Sequence, residues 1–216
     1  MRDQITDPEQ SLEFRNFARC CKRGMRLFDI GASYGVFSLT AAHFGGTAVA
    51  VDPSPVATRL IRVQIQLNKY ENNVQIVQAC ASDTTDDVQM LSAGVFSDGY
   101  FRMTQGRSSR ELTKTKAVTI DQLADQFGPP THIKIDVEGH EAAVLRGGRA
   151  TLARWTPLLL LELHNEMIRA EGKDPSLVLD DLAENGYELF STGGITIERS
   201  AVLAVPISRF VARYAH

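Results

Sequence analysis

The sequence predicts an α/β protein built on a mainly parallel, doubly wound sheet, with an antiparallel C-terminal edge and one inserted hairpin. Three observations carry this. Strand-like and helix-like segments alternate in a β-α-β-α-β order from residue 25 to residue 80. Leu158–Leu161 is a continuous apolar run, which suits a central strand covered on both faces. The last strand-like segments follow one another without helices between them, so they close the sheet as antiparallel neighbours.

Each element has a local reason. Residues 1–24 are polar and irregular, with apolar positions at Leu12, Phe14, Phe17 and Cys21, and Ser11 is placed to cap a short helix there. This segment is expected to act as an N-terminal helical lid, ahead of a single domain over residues 25–216. Met25–Ile30 is an apolar strand that ends in Asp and Gly, and Val36–Phe44 reads as a helix. Thr47–Val51 is the second strand. Pro55–Tyr70 is helical, with Val56, Leu60, Val63 and Leu67 recurring at the helical period. Val74–Cys80 is the third strand. Val88–Met90 and Tyr100–Met103 read as the inserted hairpin, turning at Ser97-Asp98-Gly99. Val118–Phe127 is a short strand end and a helix, and His132–Val137 a buried strand. Glu141–Trp155 is a helix with a weak point at Gly147-Gly148. Pro175–Asn185 is a helix stopped by Gly186. Tyr187–Phe190, Ile195–Glu198 and Phe210–Tyr214 are closing strands.

Composition excludes several functions. The chain has 216 residues, 44% hydrophobic and 23% charged, with a net charge of -3. That balance is ordinary for a soluble globular protein and argues against a dedicated nucleic-acid binder. No stretch of 18 apolar residues exists to span a membrane, and the N-terminus has no apolar signal core. Three cysteines without metal-type spacing, two of them adjacent, fit a reducing cytoplasmic setting.

The chemistry gathers at strand ends. Leu27–Gly35 is a strand that ends in Asp29 and passes through a small-residue turn, Gly31-Ala32-Ser33-Tyr34-Gly35, into a helix. Gly31 and Gly35 allow close backbone approach, and free amides at the helix start favour an electronegative group. Asp52, at the end of the next strand and followed by Pro53, is placed to accept two ribose hydroxyls. Together these features indicate a nucleoside cofactor. Ser33 replaces the middle glycine of a dinucleotide turn, and Asp29 repels a diphosphate but suits an ammonium. S-adenosylmethionine therefore fits better than a nicotinamide dinucleotide. Ser82 and Asp83, after the third strand, are expected at the adenine. Asp136 and Glu138 close the next strand on one face, with Lys134 beside Asp136. His164 ends the strand after that, and histidine titrates near neutrality. Asp136, Glu138 and His164 are the candidate proton acceptors, with His140 behind them. Alternatively, Asp136 and Glu162 hold a divalent metal. The basic residues Arg102, Arg107, Arg110, Lys114 and Lys116 suit either an acidic acceptor or a solvated loop.

Four stretches resemble the FkbM family of S-adenosylmethionine-dependent methyltransferases: Phe28–Gly35, Val118–Leu123, Ile133–Glu141 and Leu160–His164. With Asn68 and Ser82-Asp83 they run in order from residue 27 to about residue 165. The family usually has Asn where Ser33 stands and often Glu-Pro where Asp52-Pro53 stands. The resemblance implies a Rossmann-like class I methyltransferase fold. It also implies methyl transfer to a hydroxyl oxygen, often on a sugar, glycan or secondary metabolite. The cofactor set is then Asp29, Gly31, Ala32, Ser33, Gly35, Asp52, Pro53, Ser82, Asp83 and Asp136. A non-catalytic S-adenosylmethionine-binding module is the alternative. A nicotinamide-dependent oxidoreductase ranks below it.

Overall fold

The computed structural model describes residues 8–91, 102–103 and 112–215. Helix α1 (Pro8–Cys20) leads into β1 (Arg26–Ile30), α2 (Val36–His43), β2 (Thr47–Val51), α3 (Pro55–Asn68) and β3 (Val74–Val77). Short strands follow: β4 (Cys80–Ala81), β5 (Val88–Leu91), β6 (Arg102–Met103), β7 (Leu112–Thr115) and β8 (Ala117–Val118). Then come α4 (Ile120–Phe127), β9 (His132–Ile135), α5 (Glu141–Arg146), α6 (Arg149–Trp155), β10 (Leu158–Leu163) and α7 (Asn165–Ala170). The chain closes with α8 (Ser176–Glu184), β11 (Tyr187–Ser191), α9 (Arg199–Leu203) and β12 (Ser208–Tyr214).

The main sheet has seven strands in the order β11-β12-β10-β9-β1-β2-β3. Five of these strands pair in parallel, and β12 is antiparallel to both its neighbours. The antiparallel strand is thus not the outermost one. It lies between β10 and β11, and β11 forms the edge. Two apolar clusters cover the two faces. One is centred on Phe28, Ile133, Leu159 and Phe210, the other on Leu27, Ala50, Ile61 and Leu160. β1 feeds both because alternate residues of a strand face opposite sides.

Several sequence expectations change here. The stripe of Val56, Leu60, Val63 and Leu67 on α3 faces solvent, with Leu67 77% exposed. The buried face carries Ala57, Thr58, Ile61 and Ile65. Both faces repeat with the helical period, so periodicity located a face without saying which one docks. Small Ala57 and Thr58 let α3 lie close to the sheet, where Ile61 packs against Gly35. Helix α1 starts at Pro8, so Ser11 lies inside it and is not its cap. Ile195–Glu198 is not a strand; only Thr196 bridges to Phe190, and α9 intervenes before β12. Helix α7 was not anticipated. The helix expected over Glu141–Trp155 breaks at Gly147-Gly148 into α5 and α6. A Cβ at Gly147 would stand 2.1 Å from the Ser82 carbonyl oxygen, so the break admits that neighbouring chain.

The insertion is a three-stranded antiparallel sheet, with β5 central between β6 and β7. The Ser97-Asp98-Gly99 turn, Tyr100, Arg107 and Arg110 lie outside the described residues. Lys114 forms a 2.9 Å ion pair with Asp87. No helix among the described residues is long and apolar enough to cross a membrane.

Candidate active site

The C-terminal ends of β1, β2, β9 and β10 meet along one edge of the sheet. Gly31 (φ +80°) begins the turn after β1, and its missing Cβ is essential. A methyl group there would lie 1.8 Å from the Asp136 carbonyl oxygen. The turn is held from within. Gly31 and Ala32 donate to the Val51 carbonyl at 2.9 and 3.0 Å, and Gly35 donates to Ala32 at 2.7 Å. Ser33 donates its amide to Asp52 Oδ2 at 2.8 Å. The amides of these four turn residues are therefore engaged within the protein.

Asp52 is 4% exposed, and its other oxygen accepts the Ser54 amide at 2.8 Å. Burial pushes its carboxyl up to about 6, partly offset by the Ser54 and Ser33 amides. Each oxygen keeps a lone pair for a further donor, the arrangement that a ribose diol needs. Pro53 is half-buried beside it. Asp29 is buried and accepts both the amide and the hydroxyl of Ser38, at 3.0 and 2.6 Å. It braces the start of α2, and burial raises its pKa. The geometry of Asp52 and the glycine turn fits S-adenosylmethionine.

Ser82 and Asp83 form a separate group. Ser82 Oγ lies 3.0 Å from His140 Nε2, and Asp83 is paired with Arg146 at 2.9 Å. Burial acts to raise Asp83, but the Arg146 hydrogen bond and charge outweigh it and hold it below the usual carboxylate range. Burial, then the charge of Lys173, holds His140 below its ordinary value.

The third group is a buried charge cluster. β9 ends at Ile135, so strand alternation does not govern Asp136 and Glu138 as the sequence suggested. Glu138 instead occupies a left-handed conformation (φ +52°), followed by Gly139 (φ +98°). Such a backbone is uncommon for glutamate and concentrates at functional turns. Lys134 and Asp136 do point together, 3.3 Å apart. His164 Nδ1 lies 2.8 Å from Glu141 Oε1, which also accepts the Gly139 amide at 3.1 Å. His164 Nε2 lies 3.8 Å from Asp136 Oδ1 and 3.7 Å from Glu162 Oε1. Glu162 is gripped by Arg209 at 3.0 and 2.8 Å. Burial disfavours the His164 imidazolium, but the Glu141 hydrogen bond and the charges of Glu141, Asp136 and Glu162 outweigh this and raise its pKa.

The sequence reading places Glu141 in the Ile133–Glu141 stretch without a role in the cluster, and it does not point to Arg209. Glu141 opens a helix, which suggests a dipole role, and its contact with His164 appears only in the fold. Arg209 faces Glu162 only through the β10–β12 register, which no local pattern reveals.

A family model describing the methyltransferase FkbM domain matches residues 29–189. The chain belongs to the FkbM methyltransferase family. S-adenosylmethionine is the methyl donor of that family, as the glycine turn and Asp52 indicate, and the FkbM domain here has the Rossmann-like class I fold. The FkbM methyltransferase of Methylobacillus flagellatus superposes with a TM-score of 0.57 at 15% identity, over 88% of this chain and 43% of that one. SMU.1697c of Streptococcus mutans, solved with S-adenosylhomocysteine, superposes with a TM-score of 0.57 at 11% identity, over 97% of this chain and 99% of that one. In sequence, the ribosomal protein L11 methyltransferase of Bacillus velezensis is 28% identical over 101 residues, 46% of this chain and 32% of that protein. The chain thus matches about a third or less of the length of the curated relatives.

Proposed function

We propose that the protein transfers a methyl group from S-adenosylmethionine to a hydroxyl oxygen of a sugar, glycan or secondary-metabolite acceptor. The observation that carries this reading is the Glu141–His164 pair. Because Glu141 accepts from Nδ1, the proton of the neutral imidazole sits on Nδ1 and the lone pair on Nε2. Nε2 is then free to take the hydroxyl proton, and Asp136 and Glu162 stabilise the resulting imidazolium. Asp136, with its side chain 32% exposed, is the most open of the three carboxylates around His164. Glu138 and Gly139 shape the turn between Asp136 and Glu141.

Gly31, Ala32, Ser33, Gly35, Asp52 and Pro53 would hold the cofactor. Asp29 would act indirectly, by fixing α2 behind the turn. Ser82 and Asp83 would border the adenine, with Arg146 and His140 setting their orientation. When bound, S-adenosylmethionine supplies an electrophilic methyl group on a sulfonium. The protein's further contribution is alignment and exclusion of water.

One feature favours a second acceptor class. The curated relatives named above act on a ribosomal protein by name, so a protein acceptor belongs in the same screen. The test begins with a thermal-shift titration against S-adenosylhomocysteine, S-adenosylmethionine and NAD. Ligand at 100 times its dissociation constant should add about 2.7 kcal/mol, a rise of roughly 5–11 °C. A rise with NAD alone would refute the reading. Labelled methyl transfer is then measured on hydroxylated sugars and on ribosomal protein L11. Labelling of L11 alone would replace the hydroxyl acceptor by a protein one.

The donors of Asp136, Glu162 and His164 lie within 4.8 Å of one another, as a divalent metal would require. Arg209 already occupies both oxygens of Glu162, however, and Lys134 sits against Asp136. Methyl transfer is accordingly expected to be unchanged by EDTA. A tenfold loss restored by magnesium or manganese would make this trio a metal centre instead.

A further inference from the structure

Glu13 has no part in the chemistry described above, yet it reaches the cluster from outside the sheet. It lies on α1, is 2% exposed, and its Oε1 accepts no hydrogen bond among the described residues. That oxygen stands 4.0 Å from Lys134 Nζ. Lys134 is 3% exposed and shared among three carboxylates: Asp136 at 3.3 Å, Glu13 at 4.0 Å and Glu162 at 4.0 Å. The Phe37 ring lies 5.1 Å from the ammonium, and Phe37 packs on Phe14 and Phe17 of α1. Helix α1 is thereby fastened over the cluster by aromatic contacts, with Glu13 pointing in.

A buried ammonium needs counter-charge, and Asp136 alone would supply it. A further buried carboxylate with one oxygen that accepts no hydrogen bond adds desolvation cost, so its presence calls for another reason. The distances supply one. Ionised N–H···O pairs close to about 2.7–2.9 Å when nothing competes. Lys134 and Asp136 remain at 3.3 Å, with Glu13 and Glu162 each 4.0 Å from the same ammonium.

We propose that Glu13 is a positioning residue of the methyl-transfer site: it holds the Lys134 ammonium off Asp136, so that Asp136 keeps the negative charge that supports His164 as a base. The proposal rests on the reading of His164 as that base. The groups facing Glu13 are Lys134 and Asp136 at the end of β9, Glu162 on β10 and Arg209 on β12. Those facing His164 are Glu141 on α5, Asp136 and Glu162.

The experiment is nitrogen-edited NMR titration of the His164 imidazole, which needs no acceptor. It is run on the S-adenosylhomocysteine-bound wild type and on Glu13→Gln and Glu13→Asp, with thermal midpoints recorded on the same samples. Glu13→Gln should lower the His164 pKa by about half a unit or more, and Glu13→Asp should restore most of the wild-type value. An unmoved pKa in a folded Glu13→Gln protein overturns the proposal, whatever happens to stability. If neither Glu13 variant folds, Lys134→Met is decisive: removing the ammonium should raise the His164 pKa, and no rise overturns the proposal. A fully active His164→Asn enzyme would remove the base assignment while leaving the electrostatic link measurable by the same titration.

Discussion

A His164→Asn variant is expected to fold, to bind S-adenosylhomocysteine as tightly as the wild type, and to lose methyl transfer by about 10²–10⁴-fold. Asparagine keeps an amide near the position of Nδ1, so the partner of Glu141 survives, while the basic nitrogen is lost. The wild-type pH profile carries a matching signature. His164 must be neutral to act, and its folded pKa is raised above the ordinary 6.5. The rate should therefore climb with pH through a point above 6.5. The stability linkage has the opposite direction. A raised histidine pKa stabilises the fold fully below 6.5, and this contribution is lost as pH rises through the folded value. A variant that retains more than about a tenth of the wild-type rate would hand the proton to Asp136 or to solvent.

The second large effect is expected at Gly31. A Gly31→Ala methyl would meet the Asp136 carbonyl oxygen at 1.8 Å, at a φ of +80°. The struck atom is backbone, so no side-chain rotation relieves the clash. Overpacking and left-handed strain together should cost roughly 2–5 kcal/mol. That lowers the thermal midpoint by roughly 4–20 °C. The shift induced by S-adenosylhomocysteine should also vanish, because the turn that carries Ser33 to Asp52 is displaced. Gly24→Ala is the control. Gly24 has a φ of +87° and nothing within 4 Å of its Cβ position, so it reports the torsional cost alone. Equal losses in the two variants would show that the contact with Asp136 does not matter.

The parts of the fold written in local pattern were readable without coordinates. The glycine turn, the run of strands and helices from β1 to β3, and the placement of Asp52 and His164 at strand ends all follow from short spacings. What was not readable depends on contacts between distant segments. The apolar stripe of α3 has the helical period, but period alone does not say which face docks, and the buried face carries Ala57, Thr58, Ile61 and Ile65. Asp136 and Glu138 looked like alternating strand positions, but the strand ends one residue before Asp136. Asp29 reads from the sequence as a ligand for an ammonium, and the fold also ties one of its oxygens to Ser38, nine residues on. The counter-charges of the cluster come from α1 and β12, at opposite ends of the chain, and nothing in the sequence around Glu13 or Arg209 announces them.

The place of β12 bears on how such a molecule is completed. The last strand in chain order is an interior strand of the sheet, between β10 and β11. During synthesis, β10 has no partner on that side until residues 208–214 have emerged. The same strand delivers Arg209 to Glu162. Until it docks, β10 presents an open edge and a buried carboxylate without its guanidinium. Docking of β12 therefore both closes the sheet and brings Arg209 to Glu162. A chain shortened before residue 208 would keep the glycine turn and Asp52 but lose the Glu162–Arg209 pair.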